Sequence, residues 1–469
     1  MQVLLKIERF QKQIKLCIAI ILLLILFTYT LPWIIKYSAD REYSGVDFHA
    51  YWYANLYTRQ GINPYWAILD RNQMHIYWDP RYLGSGLTDP SASKNGGFES
   101  ILKLPIRYLD GRVTKEYPVA QVLIGAPSTT APLSLLMGLF SWFSWSVARI
   151  FWLGINIIFA ALIPWLGFRL VESQKKIDPI DKLVLAFAFY NFYGLRQSLV
   201  VGQQSVICLF LLLLALLVRD RWLLAGLLLG IGISKYSVGL PFFLLFLMQK
   251  ETRIIVTSIF VQLLGVVLLI PLAHGSLDET AKAYLQVMDL NYSQEGIHLL
   301  ARSPEHPFIV YLFILAVLIV LIFVVRTAFF NIESSAPEDS KIPLNILNLL
   351  TIALFLVVYH RIHDMPFAIL FFFTMMLAEK YSWKTFSFSW EHLLIISSKW
   401  LLMALLIFPT VPGKLISYIW HSTEATGVST SYNPVSTVSL LLMFFVSVWM
   451  EVRIFYRSRQ VDVFNINLA

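Results

Sequence analysis

The sequence predicts an all-α polytopic membrane protein: a helical bundle of about twelve transmembrane helices, with a long first outer loop containing surface-lying helices. Three observations predict it. Of 469 residues, 57% are hydrophobic and 14% charged, where a soluble domain carries about 25% charge. Apolar runs approaching the ~20 residues needed to cross the hydrocarbon recur along the whole chain. The short basic clusters between those runs fall on one side of the membrane once the chain is threaded through it. A soluble fold of this size has no interior large enough for so much apolar surface, so soluble enzymes are excluded. The net charge of +8 is scattered over run ends, which argues against nucleic acid as a partner.

Residues 1–15 carry Lys6, Arg9, Lys12 and Lys15 and are expected in the cytoplasm. The first helix, 16–36, comes next. It is too long for a cleaved leader and has no small-residue cleavage site, so it reads as a signal anchor. Residues 37–142 form the outer loop. Within it, Asp47 to Gln60 and Pro64 to Tyr77 read as short amphipathic helices on the membrane surface. The apolar stretch 118–140 is interrupted by Pro127, Pro132 and Ser128-Thr129-Thr130. Breakers at that density point to a re-entrant or surface-lying pair, with a full crossing as the alternative.

Further runs lie at 143–168, 181–198, 202–218, 222–235, 237–249, 254–274, 307–326, 343–360, 365–379, 393–412 and 433–452, giving helices 2–12 within 143–452. The tail, 453–469, returns to the cytoplasm. With the N-terminus inside, Arg169 to Lys182, Arg219 with Arg221, Lys250 with Arg253, Lys380 with Lys384, and Arg453 to Arg459 all fall inside, as the positive-inside rule requires. Cys17 and Cys208 both lie in apolar runs, so no disulfide is expected.

Ionisable groups inside such runs are expensive and mark function by default. On this topology they collect at the outer face: Asp47 after the first helix; Arg196, Gln203 and Gln204 around Gly202; Lys235; and His360, Arg361, His363 and Asp364 between two late runs. One carboxylate among cationic groups suits transfer from an anionic leaving group. The carboxylate takes the proton of an attacking hydroxyl, while Arg, Lys and His hold a departing phosphate. No nucleotide sugar or ATP reaches the outer face, so the donor has to arrive as a lipid-linked species. Each residue also has a plainer reading. Asp47 suits a helix N-cap, Lys235 a snorkelling interfacial lysine, Gly202-Gln203-Gln204 a tight turn, and the His360–Asp364 stretch an interfacial ion pair. His363 with His360 and Asp364 offers a metal alternative, but no further ligand set accompanies it, so no metal is expected.

These residues resemble a known family. Asp47-Phe48-His49-Ala50-Tyr51-Trp52, followed by Gly61-Ile62-Asn63-Pro64-Tyr65, resembles the first outer loop of bacterial GT87 (DUF2029) glycosyltransferases, of the GT-C superfamily. Tyr117-Pro118, Gly202-Gln203, Gly230 to Lys235 and Tyr359-His360-Arg361 with Asp364 fit in order. Val119, Ser205 and a late Pro241 depart from the pattern. The resemblance implies an inverting hexosyltransferase, a mannosyltransferase above all, that takes its sugar from a polyprenyl-phosphate donor to a lipid or glycan acceptor. Asp47 would be the catalytic base. Lys235, Arg196 and the His360-Arg361 pair would meet the donor phosphate. His363 and Asp364 would orient sugar or acceptor, and Gln203 and Gln204 would bind substrate. It implies no cofactor beyond the donor, no nucleic acid, and a bacterial inner (plasma) membrane protein with both termini cytoplasmic and its site facing the periplasm or exterior. A transporter or flippase of a lipid-linked or anionic substrate is the competing class. It would place polar groups near the membrane midplane and on both faces.

Overall fold

A computed structural model describes residues 2–39, 45, 47–48, 51–52, 55, 58, 103–107, 113–118, 129–272, 276–292, 315, 318–319, 322, 343–357, 362–383, 390–409 and 438–450. In chain order the helices are α1 (Gln2–Ile25), α2 (Leu31–Ala39), α3 (Ala131–Gly138), α4 (Trp145–Glu172), α5 (Pro179–Tyr190), α6 (Tyr193–Val201), α7 (Ser205–Leu217), α8 (Trp222–Gly232), α9 (Tyr236–Met248) and α10 (Thr252–Leu272). They continue with α11 (Leu277–Tyr292), α12 (Leu344–Val357), α13 (Ile369–Trp383), α14 (Trp390–Ile407) and α15 (Val438–Met450). The architecture is helical, as expected. In the long loop, β1 (Lys103–Arg107) pairs antiparallel with β2 (Val113–Pro118).

Three segments are long and apolar enough to cross a membrane: Arg9–Ala39, Ser146–Glu172 and Thr252–Leu272. A fourth arises if α6 and α7, which meet at 112°, count as one broken span. The other apolar helices run 10–17 residues. Two of the predicted runs are interrupted by local chemistry. Run 181–198 splits at Asn191, whose amide donates to Leu22 O (2.9 Å) and whose Oδ1 accepts from Thr30 Oγ1 (2.6 Å). Run 16–36 loosens into a π-helical turn, Leu26–Thr30, at the same contact. Run 307–326 lies almost wholly outside the described residues.

The surface is inverted relative to a soluble protein. On α10, Val256, Phe260, Leu263 and Val267 face outward, whereas Thr257, Ser258 and Gly265 are buried. Small residues let α8 and α10 approach: a Cβ on Gly226 would meet the Thr257 side chain at 2.4 Å, and one on Gly230 the Val261 side chain at 2.6 Å. This four-residue spacing of glycines is a membrane helix-packing device. Composition, exposed apolar faces and small-residue packing together make this a membrane protein.

The described residues of the first long loop pack against the bundle. Residues 47, 48, 51, 52, 55 and 58 are helical and share one face. Phe48, Tyr51, Trp52 and Asn55 on that face are all buried. Asn55 Nδ2 donates to Ser134 O of α3 (3.1 Å), and the Trp52 indole to Phe143 O (3.2 Å). The helix thus packs inward, against α3 and the end of the 3-10 turn Leu139–Trp142. Of the stretch 118–140, the described part is the end of β2, residues 129–130, α3 and the start of that turn. The remainder of that stretch, 119–128, lies outside the described residues. The predicted helix from Pro64 to Tyr77 lies outside the described residues.

Candidate active site

The site is assembled at a turn. α6 ends at Gly202, which adopts a left-handed conformation (φ +73°). A Cβ there would meet the Phe48 side chain at 2.8 Å and Gly45 backbone at 3.2 Å. Only glycine gives both the backbone angle and the clearance. The first-loop backbone is pinned here: Gly45 N donates to Val200 O at 2.7 Å. Trp152 of α4 closes the corner, donating to Gly202 O (2.8 Å) while stacking on Phe48 at 4.6 Å between ring centroids. Asp47, next to Phe48, is thereby carried to the residues just after Gly202.

Gln203 Nε2 donates to Asp47 Oδ2 at 2.9 Å and lies 2.7 Å from His363 Nε2. Its Oε1 accepts from Gln204 N at 3.0 Å. A carboxylate only accepts, so the amide nitrogen is the end facing Asp47. With Gln203 donating on both sides, His363 accepts at Nε2 and carries its proton on Nδ1. His363 Nε2 is 3.9 Å from Asp47 Oδ2, with Gln203 between them as the bridge.

The neighbouring residue, Asp364, faces a second group. Both sit in the 3-10 segment Ile362–Ala368. Lys235 Nζ is 2.6 Å from Asp364 Oδ1 and 2.8 Å from Ser205 Oγ, and Ser205 Oγ donates to the same Asp364 oxygen. Both members of the ion pair are about 5% exposed or less. Lys235 is placed by the break between α8 and α9, and Ser205 opens α7. Lys235 is thus not an isolated cation snorkelling to an interface. Its charge is compensated by Asp364, and two of its three N–H groups are engaged by Asp364 and Ser205.

Five predicted residues therefore come together: Asp47, Gln203, His363, Lys235 and Asp364. Gln204 is adjacent and fully buried, and neither atom of its carboxamide has a partner among the described residues. Such an orphaned group at a site calls for a ligand or a water. Arg196 is not brought to this group. Its guanidinium lies over the rings of Tyr29 (4.9 Å), Tyr193 (5.4 Å) and Trp33 (5.6 Å) and donates to Ile407 O (2.9 Å). His360 and Arg361 lie outside the described residues. Among the described residues no cluster of three His, Cys, Asp or Glu is arranged to hold a metal ion. Cys17 and Cys208 are free thiols.

Sequence reasoning passed over Ser205 as a bonding partner, and Gln262 altogether. Gln262 was visible as an amide in the middle of an apolar span, a placement that is costly without partners.

The family model for glycosyltransferase family 87 matches residues 131–377, more than half of the chain. The chain belongs to glycosyltransferase family 87. The matched stretch contains Gln203, Ser205, Lys235, Gln262, His363 and Asp364, and Asp47 reaches it from the preceding loop. No curated protein and no solved structure gave a match.

Proposed function

We propose that this family 87 enzyme is a GT-C-type hexosyltransferase acting at the outer face of a bacterial inner membrane. It moves a hexose, mannose by preference, from a polyprenyl-phosphate donor to a lipid or glycan acceptor. The observation that carries the reading is the gathering of Asp47, Gln203, His363 and the Lys235–Asp364 pair in one hydrogen-bonded cluster beside the Gly202 turn.

In this reading Asp47 takes the proton from the acceptor hydroxyl. The hydroxyl oxygen then bonds to the anomeric carbon from the face opposite the phosphate. The bond from that carbon to the phosphate oxygen breaks, and the polyprenyl phosphate leaves with the electron pair, inverting the centre. Gln203, bonded to Asp47, fixes the direction of the carboxylate. Lys235 keeps an N–H for the departing phosphate, and its pairing with Asp364 holds the ammonium in place. Gln204 supplies a carboxamide to the sugar, and His363 orients sugar or acceptor. Arg361 and His360 extend the phosphate contacts from the stretch before His363. Arg196 serves as a brace between α2, α6 and α14. The donor needs no cofactor, and both termini lie in the cytoplasm.

The test is transfer by the purified full chain in lipid, offered a panel of radiolabelled polyprenyl-phosphate hexoses with lipid and glycan acceptors. The expected result is labelled product with inverted anomeric configuration, greatest from the mannose donor. Retained configuration, or movement of intact donor across the bilayer without transfer, would overturn the reading. Transport is the competing class because α6 and α7 form a bent, broken pair, a device that transporters also use.

A further inference from the structure

Gln262 stands in the middle of α10, one of the three full-length spans. Its polar neighbours Thr257 and Ser258 bond back to carbonyls of their own helix, Arg253 O and Ile255 O. Gln262 instead bonds outward at both ends of its carboxamide. Nε2 donates to Gly230 O at 2.5 Å and to Ser234 Oγ at 3.2 Å, and Oε1 accepts from Thr130 Oγ1 at 2.5 Å. The backbone closes the same knot, with Thr130 N donating to Ser234 O at 2.8 Å.

The two sides of this knot lead to the two halves of the site. Gly230 belongs to the last turn of α8, where carbonyls lack helical partners, and Ser234 directly precedes Lys235. Thr130 is the residue before α3. α3 in turn accepts Asn55 at Ser134 O, on the same helical face as Phe48, the neighbour of Asp47. One amide therefore joins the segment that packs on the Asp47 helix to the turn that presents Lys235. An amide at this depth in a membrane span is costly unless it is fully used, and this one makes three hydrogen bonds.

We propose that Gln262 is a positioning residue for glycosyl transfer, fixing the Asp47 side of the site in register with the Lys235 turn. The proposal rests on the transferase reading of the site. Because Gln262 acts through Thr130, the two should behave as a unit. The test is a double-mutant cycle with Thr130→Val, Gln262→Leu and the pair, in the purified full chain. Each single variant is expected to lower kcat by about 10- to 100-fold, with the donor KM changed by no more than about threefold, since misplacement of a bound substrate by ~1 Å carries losses of that size. The pair should be no worse than either single variant. Losses that multiply in the pair, or that follow only the fraction of folded protein, would overturn the proposal, as would unchanged kcat.

Hydrogen–deuterium exchange supplies an arm that needs no donor. Gln262→Leu should speed exchange across 129–143 and leave α4 protected, and unchanged protection of 129–143 would also overturn the coupling. If the unaltered chain transfers sugar from no donor, the transferase reading fails, and the exchange arm alone then decides whether the clamp exists.

Discussion

Lys235 and Arg196 are both buried cations in apolar surroundings, and the sequence offers both for a donor phosphate. The structure treats them differently. Lys235 is matched by a carboxylate, Asp364, with Ser205 shared between them, beside Gln203 and His363. Arg196 is enclosed by three aromatic rings and a backbone carbonyl. A buried cation is informative through what compensates it. A carboxylate partner in a polar cluster leaves an ammonium that a second anion can join. An aromatic box spends the guanidinium on holding helices together.

The largest effect expected from this contrast is at the ion pair. Lys235→Met leaves Asp364 buried without its counter-ion, and should destabilise the protein by about 3–5 kcal/mol as well as abolish transfer. Replacing both, with Lys235→Met and Asp364→Leu, should recover most of the thermal stability but none of the turnover. Melting in detergent alongside the transfer assay separates the two. Turnover in the stable double variant would show that the pair is structural.

Arg196→Met should come next. Loss of the aromatic contacts costs about 1–3 kcal/mol, and activity should fall only with the folded fraction. A raised donor KM at unchanged stability would instead move Arg196 into the donor site and erase the comparison.

A smaller effect, opposite in sign for stability, is expected at Gln204. Its carboxamide is buried without a partner among the described residues. Gln204→Leu should therefore raise the melting temperature, by relief of a desolvation penalty of about 1–3 kcal/mol, while lowering transfer. Higher stability with full activity would remove Gln204 from the substrate contacts.

Much of the contrast was legible in the sequence and part was not. The break at Lys235 was written in Gly230 to Lys235, and α8, α9 and α10 begin and end within a few residues of the apolar runs. The gathering of Asp47, Gln203, His363 and Asp364 could be anticipated because each is too polar for its place. The rings around Arg196 could not. Tyr193 is local, on α6 itself, but Tyr29 and Trp33 belong to the π-helical turn and α2 of the first apolar run, and only tertiary packing brings them over α6. Nor does hydropathy reveal that Asn191 breaks a run, because the break depends on Thr30 and Leu22 of another helix. Among the described residues three helices are long enough to cross, a bent pair adds a fourth, and the other apolar helices are shorter, so the twelve expected spans stay an expectation. Gln262 looked like an isolated impurity in a span until Thr130, Gly230 and Ser234 appeared around it.

The central claim is that the carboxylate of Asp47, docked at the Gly202 turn, removes the acceptor proton. Asp47→Asn tests it most directly, since the variant keeps the shape of the side chain and a hydrogen-bonding contact to Gln203. Single-turnover transfer from a radiolabelled polyprenyl-phosphate hexose should fall by about 10²- to 10⁴-fold, with the melting temperature and membrane insertion unchanged. Transfer at the unaltered rate in that variant would contradict the claim.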